Sequence, residues 1–376
     1  MKSNPVVGIL GTNGSVSRAL PPTGRSMEMA GWNTGNLIYQ FAAHNYVTSP
    51  KVTFAIGSSN EFEKIRNSID ILHIPAANQL NPNFDLRSWA QLIEYMDKPL
   101  FIAGLGIQCE LSDDEIVLSE GTIAFINALK RYAPKIGVRG ASTAAVLKRY
   151  GVDTAVVTGC PSNFLNPDVS GSSLAGQITK AKSLTNLRVD YFPGTISHHL
   201  DIESKLRSLV AKHDFRYVLQ TNELLFKYVD GVRDDPQVSQ YINWEHMRLT
   251  PNSSRSDYEN IYAERTDYYF SAPGWLDSML RRDLGIGMRM HGVVASIQGG
   301  SAGVCIVADG RIQELVSTMG YPSLSLDDAR NANSLHELLE AVSFDPIQFD
   351  VKRRHLANTY REIARESGVP VAVGIF

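Results

Sequence analysis

Cysteine is scarce. The 376-residue chain has three, Cys109, Cys160 and Cys305. An odd number at wide spacing, with no CxxC, argues against a disulfide framework and against a thiolate metal centre. Three buried thiols in a reducing compartment are the plain expectation. Long hydrophobic runs are also missing. No apolar stretch approaches the ~20 residues that span a bilayer. The opening MKSNPVVGILGTNGS turns polar too soon for a signal peptide. A cytoplasmic protein is therefore expected, with no transmembrane segment and with peripheral membrane contact left open. Neither sign of charge is in excess. Lys and Arg number 36 against 39 Asp and Glu, a net charge of −3, so composition implies no nucleic-acid partner. The 29 Gly and 17 Pro follow no collagen-like period, and 43% hydrophobic residues exclude a disordered chain. HExxH spacing, a GxSxG elbow and a Walker loop do not occur.

What is present is length for two domains and an alternation of strands with helices. Short β-branched runs at Val6–Leu10, Val52–Gly57, Ile69–Ile74, Leu100–Leu105, Ile136–Arg139 and Ala155–Thr158 predict strands. Between them, 86–96 has a helical apolar face with Asp85 as its cap, 112–115 reads as a capping box, and 142–150 predicts a short helix. A second set of strands is expected at Leu187–Phe192, Tyr217–Gln220, Tyr268–Ser271, Gly285–Met288 and Val304–Ala308. The stretch 166–186, rich in Gly, Ser and Pro, reads as the connection between two α/β domains. Thr221–Arg265 reads as a polar helical excursion, and a final helix is expected over 346–367. This gives domains at 1–168 and 187–345, with 346–376 as a C-terminal helix. In doubly wound sheets ligands bind beyond the carboxyl ends of the strands.

Several polar residues sit at such strand ends. Arg289 and His291, in GMRMHG, are two apart after a predicted strand, a spacing that allows them to point to one side, and a helix is expected over Val293–Gln298, which puts His291 near its N-terminus. Arg139 ends a strand of the first half and offers a planar fork for carboxylate or phosphate. Gly104 and Gly106 flank a turn that ends in Gln108, and the third glycine of a dinucleotide fingerprint is absent. Asn33, Gly35 and Asn36 precede a predicted helix, the loop 159–164 contains Ser162, and Arg311 follows the last strand. His198 and His199 are adjacent and face opposite ways, so they do not read as a metal pair. Tyr241, Trp244 and Trp275 read either as sugar-stacking surfaces or as packed aromatics.

In this order, NTGN at 33–36, GLGIQ at 104–108, IGVRGASTAAVLKRYGV at 136–152, VVTGCPSNFL at 156–165 and GIGMRMHGVVASIQGG at 285–300 resemble the polysaccharide pyruvyl transferase family. The resemblance spans roughly residues 33 to 320. It implies a GT-B-like α/β fold, two Rossmann-like domains facing a cleft, with the C-terminal helix packing back on the first. It implies transfer of the pyruvyl group of phosphoenolpyruvate onto sugar hydroxyls as a ketal, with release of phosphate. No cofactor and no metal are implied, since phosphoenolpyruvate is the donor substrate. The partner is a sugar, glycan or lipid-linked saccharide acceptor. Carried over by position, Arg139, Arg289 and His291 are the catalytic residues, and with Gly292 and Arg311 they bind the donor. Asn33, Gly35, Asn36, Gly106, Gln108 and Ser162 line the cleft or face the acceptor. His291 is assigned as general acid, with phosphate binding or hydroxyl deprotonation as alternatives. Two departures stand out: Arg311 replaces a lysine common in the family, and the 33–36 loop lacks the Asp of Gly-Asn-x-Gly-Asp. The competing readings are a GT-B glycosyltransferase using a nucleotide sugar, a non-catalytic carbohydrate-binding member and, weakest, a dehydrogenase.

Overall fold

The computed structural model describes residues 4–19, 22–55, 61–108, 116–194, 198–250 and 253–374. Cys109 and the predicted capping box at 112–115 lie outside the described residues. The first half supplies β1 (Val7–Leu10), β2 (Lys51–Phe54), β3 (Ile71–Pro75), β4 (Leu100–Leu105), β5 (Ile136–Val138) and β6 (Ala155–Val157). They pair in parallel in the order β2-β1-β3-β4-β5-β6. The second half supplies β7 (Arg188–Phe192), β8 (Asp214–Leu219), β9 (Thr266–Tyr268), β10 (Leu284–Gly287), β11 (Ala302–Val307) and β12 (Ser323–Ser325). These are also parallel, in the order β12-β11-β10-β7-β8-β9. β3 and β4 are buried along their whole length. That is why they read as continuous apolar runs: helices cover both faces of a parallel sheet. No described helix is long and apolar enough to cross a membrane.

Several expectations differ in detail. The helix expected over 86–96 with Asp85 as its cap runs over Arg87–Met96 with Leu86 as its N-cap, although Asp85 Oδ1 still accepts from Arg87 N at 2.9 Å. β9 begins at Thr266 and ends at Tyr268, because Ser271 leaves the sheet to cap the helix Ala272–Met279 through its side chain. β12 went unpredicted; three residues flanked by serine carry no periodic signal. The 166–186 stretch is mostly helical. Ser170 and Ser173 form a capping box for Gly171–Ser183, and Leu174, Ile178 and Ala181 bury one face at helical spacing.

The helix Pro346–Glu366 ties the halves together. Near its start Phe349 packs on Tyr321 of the second half, with ring centroids 5.9 Å apart. Near its end Tyr360 meets Tyr46 and Phe101 of the first, at 5.8 and 5.4 Å. The chain therefore crosses back, which completes the GT-B-like layout. Phe349, Leu356, Tyr360, Ile363 and Ala364 are buried as the periodicity requires, whereas Val351 is exposed.

Arg353 on this helix is almost fully buried, and its hydrogen-bond partners among the described residues are all backbone carbonyls. Its guanidinium donates to the carbonyls of Asn163, at 3.0 Å, Asn166, at 2.6 Å, and Val169. It thus holds the chain where it passes from the first sheet to the second. Arg353→Met strands three carbonyls. It should cost about 3 kcal/mol, read as a lower urea midpoint at unchanged slope. A loss under about 1 kcal/mol would show that the carbonyls find other donors.

Candidate active site

Strand order decides where a ligand can sit. The first sheet reverses direction of growth between β1 and β3, and the second between β7 and β10. Crevices open at such switch points. Here the two face each other across a cavity of about 500 Å³. Gly11 after β1, Ala77 after β3 and Arg289 after β10 all line it.

Arg139 follows β5 and is 2% exposed. Nε donates to Gly104 O at 2.9 Å, and Nη1 donates to Asn78 Oδ1 at 2.7 Å. Gly106 is glycine for a steric reason: a Cβ there would meet Arg139 Cδ at 2.7 Å. No carboxylate pairs with Arg139 among the described residues. A buried guanidinium held only by neutral groups is ready for an anion.

Arg289 is the N-cap residue of the helix Met290–Gln298. It is half-buried, donating from Nε to Pro193 O at 3.1 Å and from Nη2 to Thr221 Oγ1 at 3.0 Å. Among the described residues it too has no acidic hydrogen-bond partner. Burial first, then the charge of Arg311, lowers its pKa to about 10. It remains a cation at neutral pH. Arg311 lies in the first turn of the helix Gly310–Met319. It pairs with Asp309 at 2.9 Å and reaches across the cleft to donate to Gln108 Oε1 at 3.2 Å.

His291, in the first turn of the 290–298 helix, is 9% exposed and lines the cavity. Its ring lies 5.5 Å from the Tyr39 ring, and Nε2 lies 3.8 Å from Cys160 Sγ. Burial, followed by the charges of Arg139 and Arg311, holds its pKa well below the usual 6.5. The imidazole is therefore neutral at pH 7 in the ligand-free protein. As it stands it accepts a proton rather than gives one, which alters the general-acid expectation.

Of the other anticipated residues, Asn33, Asn36 and Gln108 line the cavity. Gly35, Gly106 and Gly292 do not; they leave room for side chains that do. A Cβ on Gly35 would lie 2.4 Å from Gln220 Oε1, and one on Gly292 would lie 2.8 Å from Gln220 Nε2. Ser162 is a correction. It is fully buried, with its hydroxyl 3.0 Å from Cys160 Sγ, and is not part of the cavity wall. The loop 159–164 turns beneath the cleft as a short 3₁₀ segment, Pro161–Phe164, with all four residues buried. Trp275 is fully buried and stacks on Tyr269 at 5.3 Å, so it is a core residue. Tyr241 and Trp244 line a second cavity, of about 190 Å³, which shares Arg289 and Gln220 with the first. Cys160 and Cys305 are buried free thiols, as expected.

Sequence reasoning missed three contributors. Gln220 directly follows β8, wedged between the two motif glycines; its backbone carbonyl accepts from Thr34 N at 2.9 Å, which joins the two halves. Glu314 crosses in the other direction. Its carboxylate accepts from Thr143 N at 2.7 Å and from Thr143 Oγ1 at 2.8 Å, at the start of the helix Ala141–Arg149. Asn78, Gln79 and Asn81 form an amide-rich turn directly after β3. That last group carried a readable signal, three carboxamides at a strand end.

Three solved structures share the general layout at low similarity. Anabaena HepE in complex with UDP-glucose is 12% identical over 96% of this chain and 95% of that one, with a TM-score of 0.44. Staphylococcus aureus MnaA with UDP is 10% identical over 95% and 96%, with a TM-score of 0.43. A glycosyltransferase from Rickettsia africae is 10% identical over 97% and 100%, with a TM-score of 0.39. Likeness at this level says nothing of what the cleft binds. No curated protein matches the chain. The polysaccharide pyruvyl transferase family model matches residues 33–309, a span that holds Arg139, Arg289 and His291. With the family match extending over most of its length, the chain belongs to the polysaccharide pyruvyl transferase family.

Proposed function

We propose that the cleft binds phosphoenolpyruvate and transfers its pyruvyl group to a saccharide as a ketal. One observation carries the reading. Arg139, Arg289, Arg311 and His291 line a single cavity whose wall, among the described residues, holds one carboxylate, Glu28. Two of the three arginines hydrogen-bond only to neutral acceptors. A donor with a carboxylate and a phosphate supplies the missing negative charge.

The proton balance follows from the chemistry. The methylene carbon of the enol must gain a proton, which makes C2 electrophilic. A sugar hydroxyl adds to C2 and loses its proton. Phosphate leaves, and a second hydroxyl closes the ketal. Of the two hydroxyl protons, one ends on the new methyl group and one on phosphate. We assign the movement of these protons to His291, which lines the cavity between Arg139 and Arg311. Donor charge beside Arg139 and Arg311 offsets the two cations that hold its pKa down. His291 then takes up a proton on donor binding and becomes the acid that the first step needs. The expected result is an imidazole that is neutral at pH 7 without ligand and whose titration moves upward with phosphoenolpyruvate, followed by NMR. An unchanged titration in the presence of bound donor would remove His291 from this role.

The donor itself is tested by thermal unfolding. Phosphoenolpyruvate should raise Tm in a concentration-dependent way, as for any ligand of the folded state. A nucleotide sugar should not. The reverse pattern would favour a glycosyltransferase.

A further inference from the structure

The first-domain wall of the cavity is lined by carboxamides whose orientation is set. An Asn or Gln amide has an accepting oxygen and a donating NH₂, and the two ends are distinguished by their partners. Asn33 Oδ1 accepts from Gly35 N at 2.9 Å, and Asn81 Oδ1 accepts from Asn83 N at 2.9 Å. Gln40 Oε1 accepts from Thr12 N at 2.8 Å, and Gln79 Oε1 accepts from Ala77 N. Asn78 and Gln108 accept from Arg139 and Arg311. Every one of these partners is a group that can only donate, so in each amide the oxygen end is identified and the NH₂ end is the other. Gln40 and Gln79 turn toward the Tyr39 hydroxyl. Among the described residues, Asn33, Asn78, Asn81 and Gln108 keep NH₂ groups with no hydrogen-bond partner. Beside them, Phe84 is 52% exposed and lines the same cavity with Trp89.

We propose that this wall, centred on the Asn78–Phe84 turn, binds an uncharged glycosyl unit of the acceptor through that unit's oxygen lone pairs, with Phe84 against its apolar face. This rests on the donor reading for the charge of the acceptor. Once phosphoenolpyruvate meets the three arginines, the wall retains no cation for a uronate or a sugar phosphate. Hydroxyl, ring and N-acetyl carbonyl oxygens all suit a row of neutral donors, and an aromatic face suits the C–H side of a pyranose.

Asn81→Asp tests the wall with little disturbance. The carboxylate still accepts from Asn83 N, so the turn survives, and only the free donor is exchanged for a charged acceptor. Binding is read by saturation-transfer NMR on the full chain, with and without phosphoenolpyruvate. The probes are the methyl glycosides of glucose, galactose, mannose and N-acetylglucosamine, with methyl glucuronide as the acidic counterpart. At least one neutral glycoside should bind about tenfold or more tightly than the glucuronide. Asn81→Asp and Phe84→Ala should each weaken that glycoside about tenfold, while phosphoenolpyruvate binding changes less than about threefold. Preference for the glucuronide, no binding of any neutral glycoside, or an unaffected Asn81→Asp would overturn the proposal. Failure of phosphoenolpyruvate to bind the unaltered protein would instead sink the donor reading, and glycoside binding without it would still judge the wall.

Discussion

Replacing His291 by alanine should cut turnover about 100- to 10,000-fold, the usual worth of a placed acid–base group. The protein should still fold. His291 lies at the mouth of a helix that holds its own backbone bonds, and its side chain makes no hydrogen bond shorter than the 3.8 Å approach to Cys160. What is lost is the proton carrier between acceptor hydroxyl, methylene carbon and phosphate. Circular dichroism and the urea midpoint check the fold, and kcat with phosphoenolpyruvate checks the role. His291→Gln, which keeps the volume and a polar end, should be equally inactive. A folded His291→Ala protein with near-normal kcat would end the assignment. The low pKa of His291 also sets a stability trend. Below pH 6.5 the unfolded chain binds a proton that the folded site refuses, so this contribution is full above pH 6.5 and is lost as the pH falls. His73, fully buried with a pKa lowered to about 4, acts in the same sense.

Removal of Arg139 should have the larger effect on binding. Arg139→Met deletes a cation seated at the cavity wall and strands Gly104 O and Asn78 Oδ1. The donor dissociation constant should rise about 100-fold, within the range for losing one partner of a desolvated charge pair. Stability should fall by about 1–3 kcal/mol for the stranded acceptors. Lysine should not restore affinity. One ammonium lacks the fork that serves Gly104 O, Asn78 Oδ1 and a ligand together. Calorimetric titration with phosphoenolpyruvate measures the first effect and urea unfolding the second. An unchanged affinity would take Arg139 out of the donor site.

The division into legible and illegible parts has physical causes. β4 was readable to the residue, because a six-residue apolar run between a charged turn and a glycine can only be a buried strand. The helix after β10 was readable because strand, glycine and helix follow one another, but it starts at Met290 rather than Val293, so His291 lies in its first turn instead of before it. The helix 171–183 was not, since its capping serines resemble linker composition and its buried residues are few. Ser162 was misplaced for a related reason. A loop after a strand reads as cleft-facing, but Pro161 and the contact of Tyr46 with its carbonyl pull this one under the floor. Gln220 and Glu314 were invisible because each acts between the halves that carry the two sheets, at separations that no local pattern encodes.

The central claim is that phosphoenolpyruvate is the donor. The most direct measurement incubates the protein with phosphoenolpyruvate and a panel of simple glycosides, nucleotide sugars and lipid-linked sugars, and follows phosphate and product mass together. The account predicts phosphate released in step with saccharide that has gained a pyruvyl ketal, and neither product from His291→Ala. Transfer of a sugar from a nucleotide sugar, with phosphoenolpyruvate left intact, would contradict it.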